Sequence, residues 1–262
     1  MARQIAYGMM LALLATAAQA QQPYIPPEFY DARRPDFGQS LPLCLLPDSV
    51  TAAIDDEMAR LIADRLLLQP ATVPMQVNMG AMDEDGIWPD LFVHLTEVCV
   101  GMLGAQLITG APYPDWLIIS RPYYSAPYLL VSHDPAIRSL ADLPEGSFIG
   151  SPIYTPLDTE LARLIGAGAA PINRLPYDDI DQVHRFLADG TMAAAIIWGP
   201  YIRALPPDRL HIGTTLAPLH TTTRSLGIVM RSRDRALMGM IDSAIASLAD
   251  DGLLPTFTPT GD

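Results

Sequence analysis

From residue 41 onward, short apolar runs alternate with stretches in which apolar residues recur every three or four positions. This alternation constrains the fold more than any other feature, because strands followed repeatedly by amphipathic helices build a layered α/β protein. Residues 41–46 read as the first strand. Over residues 48–68, Ile54, Met58, Leu61 and Ile62 stand at helical spacing. Asp55, Asp56 and Glu57 crowd the expected first turn, where the helix dipole favours negative charge, and Pro70 is the expected stop. Residues 73–79 alternate Val73, Met75, Val77 and Met79 with small or polar side chains, the period of a strand. A short helix over 87–98 leads to a strand near 99–103.

A second α/β unit opens with SLADLPEGSFIGSPIYT. Its helix carries signals at both ends: Thr155 as cap, Pro156 at the first helical position, Asp158 three residues after the cap and Gly166 at the end. A shorter helix over 181–188 stops at Gly190, and a buried strand over 192–198 breaks at Gly199 and Pro200. An extended segment covers 222–230, and a last helix over 236–248 is followed by Gly252. Between the two units lies SRPYYSAP, residues 120–127, whose prolines argue against a regular central strand and mark a crossing between lobes.

Composition narrows the chemistry. A length of 262 residues fits one large domain or two modest lobes, and 50% hydrophobic against 17% charged residues excludes a disordered or collagen-like chain. All 16 basic residues are arginine; against 29 acidic residues the net charge is −13. Without lysine there is no Schiff base, no P-loop lysine and no kinase-type lysine. The acidic balance disfavours nucleic acid as a partner. No G-x-S-x-G or H-E-x-x-H run occurs, and His94, His133, His184, His211 and His220 lack metal-ligand spacing. The expectation is a protein that is not an enzyme and holds no cofactor or metal.

Residues 1–20 read as a secretory signal: Arg3 near the start, an apolar stretch over 5–17, and the cleavage pattern Ala18-Gln19-Ala20. The stretch is shorter than the roughly 20 residues that span a bilayer, and no later stretch is long and apolar enough to do so. The mature chain is therefore expected in the periplasm, beginning with an extended, proline-rich arm over 21–40. In that oxidising compartment the two cysteines, Cys44 and Cys99, are expected to form a disulfide between neighbouring strands. A metal or redox pair lacks the C-x-x-C spacing.

Several local patterns in this order resemble type 2 periplasmic solute-binding proteins, the bacterial extracellular solute-binding proteins of family 3. AIDDEMARLIADRL over 53–66 is similar to the family's G-F-D-x-D-L-A-x-x-I-A helix, and ISRPYYSAPYLLVS over 119–132 to its F-S-x-P-Y-Y crossing strand. SLADLPEGSFIGSPIYTPLDTEL resembles the unit that opens the second lobe, and VHRFLADGTMAAAIIWGP resembles L-x-x-G-x-[VA]-D-A-x-[VI], with Ala194 in place of the usual aspartate. DSAIASLADDGLLPTF resembles the closing helix. The resemblance implies a periplasmic binding protein type 2 fold: two α/β lobes, 41–126 with 225–262 and 127–224, joined by two hinge crossings around a ligand cleft.

Within the family, CLLPDS, SRPYYSAPYLLV and the Trp198-Gly199-Pro200 step are most similar to the quinoprotein dehydrogenase-associated branch, the J-type accessory proteins of methanol oxidation. That branch implies support of a PQQ-dependent alcohol or methanol dehydrogenase, with the dehydrogenase or a cytochrome c as partner. The alternatives are a receptor that delivers a small organic solute to an ABC permease, and a periplasmic dehydratase on the same fold with Asp48 as general acid.

The family's amino-acid receptors place an arginine seven residues before the serine of the crossing strand; here that position is Tyr113, which argues against an amino-acid ligand. Tyr113, Trp116, Tyr123, Tyr124, Trp198 and Tyr201 fall at expected strand exits and suit a planar organic molecule. The helix start at Thr155 offers N–H groups to an anion, and Asp48 can accept from a ligand amine or hydroxyl. The same rings also suit packing between lobes, and Thr155 and Asp48 also suit helix caps.

Overall fold

The computed structural model describes residues 35–46, 48–75, 87–108, 113–205 and 210–259. The expected signal segment, most of the expected arm and the far end of the 73–79 strand lie outside these residues.

The first lobe is built from β1 (Ser40–Leu45), α1 (Ala52–Arg65), β2 (Gln69–Pro74), α2 (Trp88–Glu97), β3 (Gly101–Gln106) and β4 (Leu117–Ile119). β5 (Tyr124–Ser132) carries the chain across. The second lobe follows with β6 (Phe148–Pro152), α3 (Pro156–Gly166), β7 (Asn173–Tyr177), α4 (Ile180–Ala188), β8 (Ala194–Trp198) and the short β9 (His211–Ile212). β10 (Thr223–Arg231) returns, and α5 (Arg235–Asp250) packs beside α1.

The strands run in the order β2-β1-β3-β10-β5-β8-β6-β7. β1 pairs in parallel with β2 and β3, and β6 pairs in parallel with β7 and β8. Residues 124–127 of β5 pair with β10, and residues 128–131 of the same strand pair with β8. The two α/β lobes are thus joined by two antiparallel crossings, β5 and β10. Both faces of the sheet are covered, which is why β1 and β8 are apolar almost throughout instead of alternating. One large cluster holds Leu43, Ile62, Ile149, Ile196 and Ile228. Smaller clusters lie beneath α2, around Cys44, Leu91, Leu95 and Cys99, and beneath α4, around Val183, Leu187 and Ile197.

Cys44 on β1 and Cys99 just before β3 form the expected disulfide, with Cα atoms 5.7 Å apart. The helix expected over 48–68 is shorter at both ends. It begins after Thr51, and Leu67, in the left-handed region at φ 56°, turns the chain away after Arg65. Pro70 therefore does not stop the helix. It lies in β2, an edge strand, where a residue without an N–H is tolerated. Of the three acidic residues expected in the first turn only Asp55 is there, and it is buried. The prolines of the crossing segment do not exclude a strand either. Pro127 sits inside β5, opposite Thr223, and the ladder continues through the next residue, where the Tyr128 N–H donates to the Thr222 carbonyl at 2.8 Å. Among the described residues no helix is long and apolar enough to cross a membrane.

Candidate ligand cleft

The parallel strands β6, β7 and β8 all end at one edge, where a ligand meets loops and helix starts in open α/β sheets. β8 ends at Trp198, which stands opposite Tyr128 in the register with β5. β10 brings Arg224 opposite Ala126, two residues away. β6 ends at Pro152, and the turn to α3 passes through Tyr154, which is 89% exposed with φ 62°. A non-glycine residue in that region is uncommon and costs roughly 1–2 kcal/mol, a cost native folds tend to carry at functional edges. Here the turn sets the Tyr154 ring on the lip of the cleft and the start of α3 at its floor.

The start of α3 is firmly held. Thr155 Oγ1 accepts from the Asp158 N–H at 3.1 Å and donates to the Pro152 carbonyl at 2.7 Å, so its hydroxyl serves as the cap. Asp158 does not complete a capping box. Instead it accepts from Ser151 Oγ and from Arg174, each at 2.6 Å, and so ties α3 to β6 and β7. Farther along α3, Glu160 accepts from the backbone N–H groups of His220 and Thr221, at 2.9 Å each, fixing the helix to the chain that enters β10.

These elements enclose a cleft of about 280 Å³ lined by Gln106, Tyr128, Tyr154, Thr155, Tyr177, Asp178, Trp198, Tyr201 and Arg224, among others. Gln106 closes it from the end of β3 in the first lobe. A second cavity of about 370 Å³ shares Gln106 and Tyr128 and continues past Leu107, Ile108, Pro156 and Ser225. Three side chains of the wall are committed: the Thr155 hydroxyl to the cap, and those of Tyr177 and Trp198. Tyr177 Oη donates to the Ile196 carbonyl at 2.7 Å, and burial pushes its pKa far up. Trp198 Nε1 donates to the Ala126 carbonyl at 3.2 Å. Two buried polar atoms are not: the Tyr128 hydroxyl and Arg224 Nε have no hydrogen-bond partner. The Arg224 guanidinium lies over the Trp198 ring, 4.5 Å from its centroid. Burial raises the Tyr128 pKa, opposed by the Arg224 charge and by Thr155 and Gln106, which flank the hydroxyl outside hydrogen-bond geometry.

Of the residues singled out from sequence, Thr155, Trp198 and Tyr201 meet in this cleft. Tyr124 lies on the other side of Trp198, edge-on at 6.1 Å, and lines a separate cavity with Val50, Arg203 and Phe257. Tyr123 is buried in the first lobe, donating to Asp55 and accepting from the Gly104 N–H. Tyr113 and Trp116 pack edge-on against Trp88 and Phe92 in the cluster beneath α2, away from the lining of the cleft. The Tyr113 hydroxyl donates to the Gln106 carbonyl and accepts from the Ile108 N–H, at 3.0 Å each. Asp48 is exposed ahead of α1 and is not its cap, because Thr51 holds that position. Tyr128, Tyr154, Asp178 and Arg224 escaped the sequence reading. For Tyr128, Tyr154 and Arg224 the signals were an aromatic two residues past Ala126 on the crossing strand, one just before a Thr-Pro cap, and an arginine at the second position of the returning strand.

No family model and no curated protein matches the chain. Solved structures do. An ancestral arginine-binding protein bound to arginine is 20% identical, with 84% of this chain and 96% of that one covered and a TM-score of 0.57. An amino acid ABC transporter substrate-binding protein, AbpA, from Streptococcus pneumoniae, bound to L-arginine, is 18% identical over 82% and 91%, with a TM-score of 0.56. A mutant of ArgBP from T. maritima is 22% identical over 82% and 91%, with a TM-score of 0.54. At such identities the likeness speaks for architecture, and in architecture this chain has the two-lobed type 2 fold of the periplasmic binding proteins.

Proposed function

We propose that the protein is a periplasmic solute-binding receptor that closes its lobes, 41–126 with 225–262 against 127–224, on a small organic molecule and presents it to an ABC permease. One observation carries this reading: the cleft between the crossings keeps two buried polar atoms, on Tyr128 and Arg224, without a protein partner. Burying an unsatisfied donor costs roughly 1–3 kcal/mol, and a ligand that pairs with it removes the cost. The aromatic wall of Tyr128, Tyr177, Trp198 and Tyr201 favours a planar or apolar ligand body.

The permease is preferred over a quinoprotein dehydrogenase or cytochrome c as partner because one solved structure with this fold is an ABC transporter substrate-binding protein. The dehydratase reading asks Asp48 to act as general acid, and Asp48 does not line the cleft. The test is a thermal-shift screen of small organic solutes with purified protein. A true ligand at about 100 times its Kd adds about 2.7 kcal/mol, which raises Tm by about 5–10 °C for a chain of this size. A protein that no solute stabilises, but that binds a purified quinoprotein dehydrogenase tightly, is an accessory factor instead.

A further inference from the structure

We infer that the cleft recognises its solute through a single carboxylate, held by Arg224 and Tyr128 at the start of α3, so that the ligand is a planar organic monoacid and not an amino acid. This deepens the receptor reading and rests on it.

The argument starts from which polar atoms are spent. The Thr155 hydroxyl, the Tyr177 hydroxyl and Trp198 Nε1 all have protein partners. The buried atoms left over are both donors: Arg224 Nε and the hydroxyl of Tyr128, which is 5% exposed. Burial favours the protonated form of Tyr128, so the group stays an O–H donor at neutral pH. The Arg224 guanidinium forms no ion pair among the described residues. Its Cζ lies over the Trp198 ring, 4.5 Å from the centroid, on the cleft lining, and a carboxylate is the group whose two oxygens match its planar fork. The N-terminus of α3, an eleven-residue helix, adds a favourable field for negative charge.

The acceptors decide the rest of the ligand. Besides the Gln106 amide, Asp178 offers a carboxylate on the cleft lining, and it is exposed. An ammonium group therefore finds no buried counter-charge, whereas an amino-acid site needs one to offset desolvation. One arginine facing one exposed aspartate, in a chain of net charge −13, also disfavours a dianion such as phosphate. A cleft of about 280 Å³, with Tyr177, Trp198 and Tyr201 in its wall, suits a body of about one ring.

The test is isothermal titration of the full mature protein with matched probes: benzoate and 4-hydroxybenzoate, benzamide, L-arginine, L-phenylalanine and inorganic phosphate. The expected result is that a monocarboxylate binds at least about tenfold more tightly than benzamide, the value of one charge-assisted hydrogen bond. Arg224→Gln and Tyr128→Phe should each erase that preference, with circular dichroism and melting showing that both variants fold. If benzamide binds as tightly as benzoate, or L-arginine binds while the monoacids do not, the carboxylate inference falls and the receptor reading stands. If none of the solutes binds, the carboxylate inference falls, and the thermal-shift screen decides the receptor reading.

Discussion

Two buried tyrosines five residues apart, Tyr123 and Tyr128, sit on the same crossing segment and are treated in opposite ways. Tyr123, 1% exposed, donates to the Asp55 carboxylate and accepts the Gly104 N–H at 2.7 Å. Asp55 also accepts from the Thr51 hydroxyl at 3.1 Å. Tyr128, 5% exposed, reaches into the cleft with no partner for its hydroxyl. The first arrangement locks α1, β3 and the crossing strand together; the second leaves a donor in a cavity. A satisfied buried network marks framework, and an unsatisfied one beside a cavity marks where a ligand belongs. Even the glycine at the first site fits this account. Gly104 takes φ 80°, where a side chain is strained, and a Cβ there would stand 3.2 Å from the Asp55 carboxylate, which would have to give by a few tenths of an ångström.

The contrast is sharpened most by loosening the framework side alone. The Cys44–Cys99 bond closes a loop with a sequence separation of 55 and ties β1 to the residues just before β3, the strand that carries Gly104. Replacing both cysteines by alanine should cost roughly 4 kcal/mol in the chain-entropy account. Urea denaturation should show the midpoint falling and the slope rising, because the unfolded chain without the cross-link exposes more surface. Once corrected for the unfolded fraction, ligand affinity should be unchanged, because neither sulfur lines the cleft. An affinity that fell with stability would mean the two sites are one cooperative structure.

Next in size is the exchange of the tyrosines themselves. Tyr123→Phe takes one of the two side-chain hydrogen bonds from the buried Asp55 carboxylate, which keeps that from Thr51, leaves the Gly104 N–H without its partner, and should destabilise the protein by about 2–4 kcal/mol. Tyr128→Phe removes a hydroxyl that has no partner, and the ligand-free protein should lose nothing or gain up to about 1 kcal/mol. Thermal melts of the two variants without ligand separate them by sign. Equal losses would show that the Tyr128 hydroxyl is satisfied in the free protein, which removes the main support for a binding role.

How far sequence alone could see this contrast follows from the range of each interaction. The start of α3 was legible because Thr155 and Pro156 act within one turn, and the structure has its cap on Thr155; its end was not, because Gly166 is still helical and Gly168, at φ 70°, follows the Ala167 cap. β8 was legible from five consecutive apolar residues, and the disulfide from the two cysteines, one on β1 and one just before β3. The end of α1 was misread because Pro70 looked like a local stop, whereas Leu67 turns the chain and Pro70 pairs with Leu41 in an edge strand. The site was harder. Being near a strand end does not say which face of the sheet a ring occupies, so Trp116 and Trp198 looked equivalent. One packs on Phe92 beneath α2 and the other lies under Arg224 in the cleft. Arg224 was invisible for a different reason: its place beside Trp198 follows from register between β10 and β5, a pairing across about a hundred residues.

The smallest expected effect tests the framework side by pH. Burial raises the Asp55 pKa above its ordinary 3.8, although hydrogen bonds from Tyr123 and Thr51 oppose the shift. A carboxyl whose folded pKa exceeds its unfolded value binds more protons in the native state between the two values, so its contribution to stability grows as pH falls through that window. This is opposite in sign to Asp142 and Asp189, whose pKa values are lowered chiefly by hydrogen bonds from Ser139 and Thr191 and whose contributions fade on acidification. The Asp55→Asn variant lacks the Asp55 contribution. The stability of wild type relative to that variant should therefore rise as pH is lowered from neutrality towards 3.8 and level off below it, measured by urea melts at a series of pH values. A difference that shrinks on acidification would mean that the Tyr123 and Thr51 hydrogen bonds outweigh burial, and that the framework network favours the ionised carboxylate.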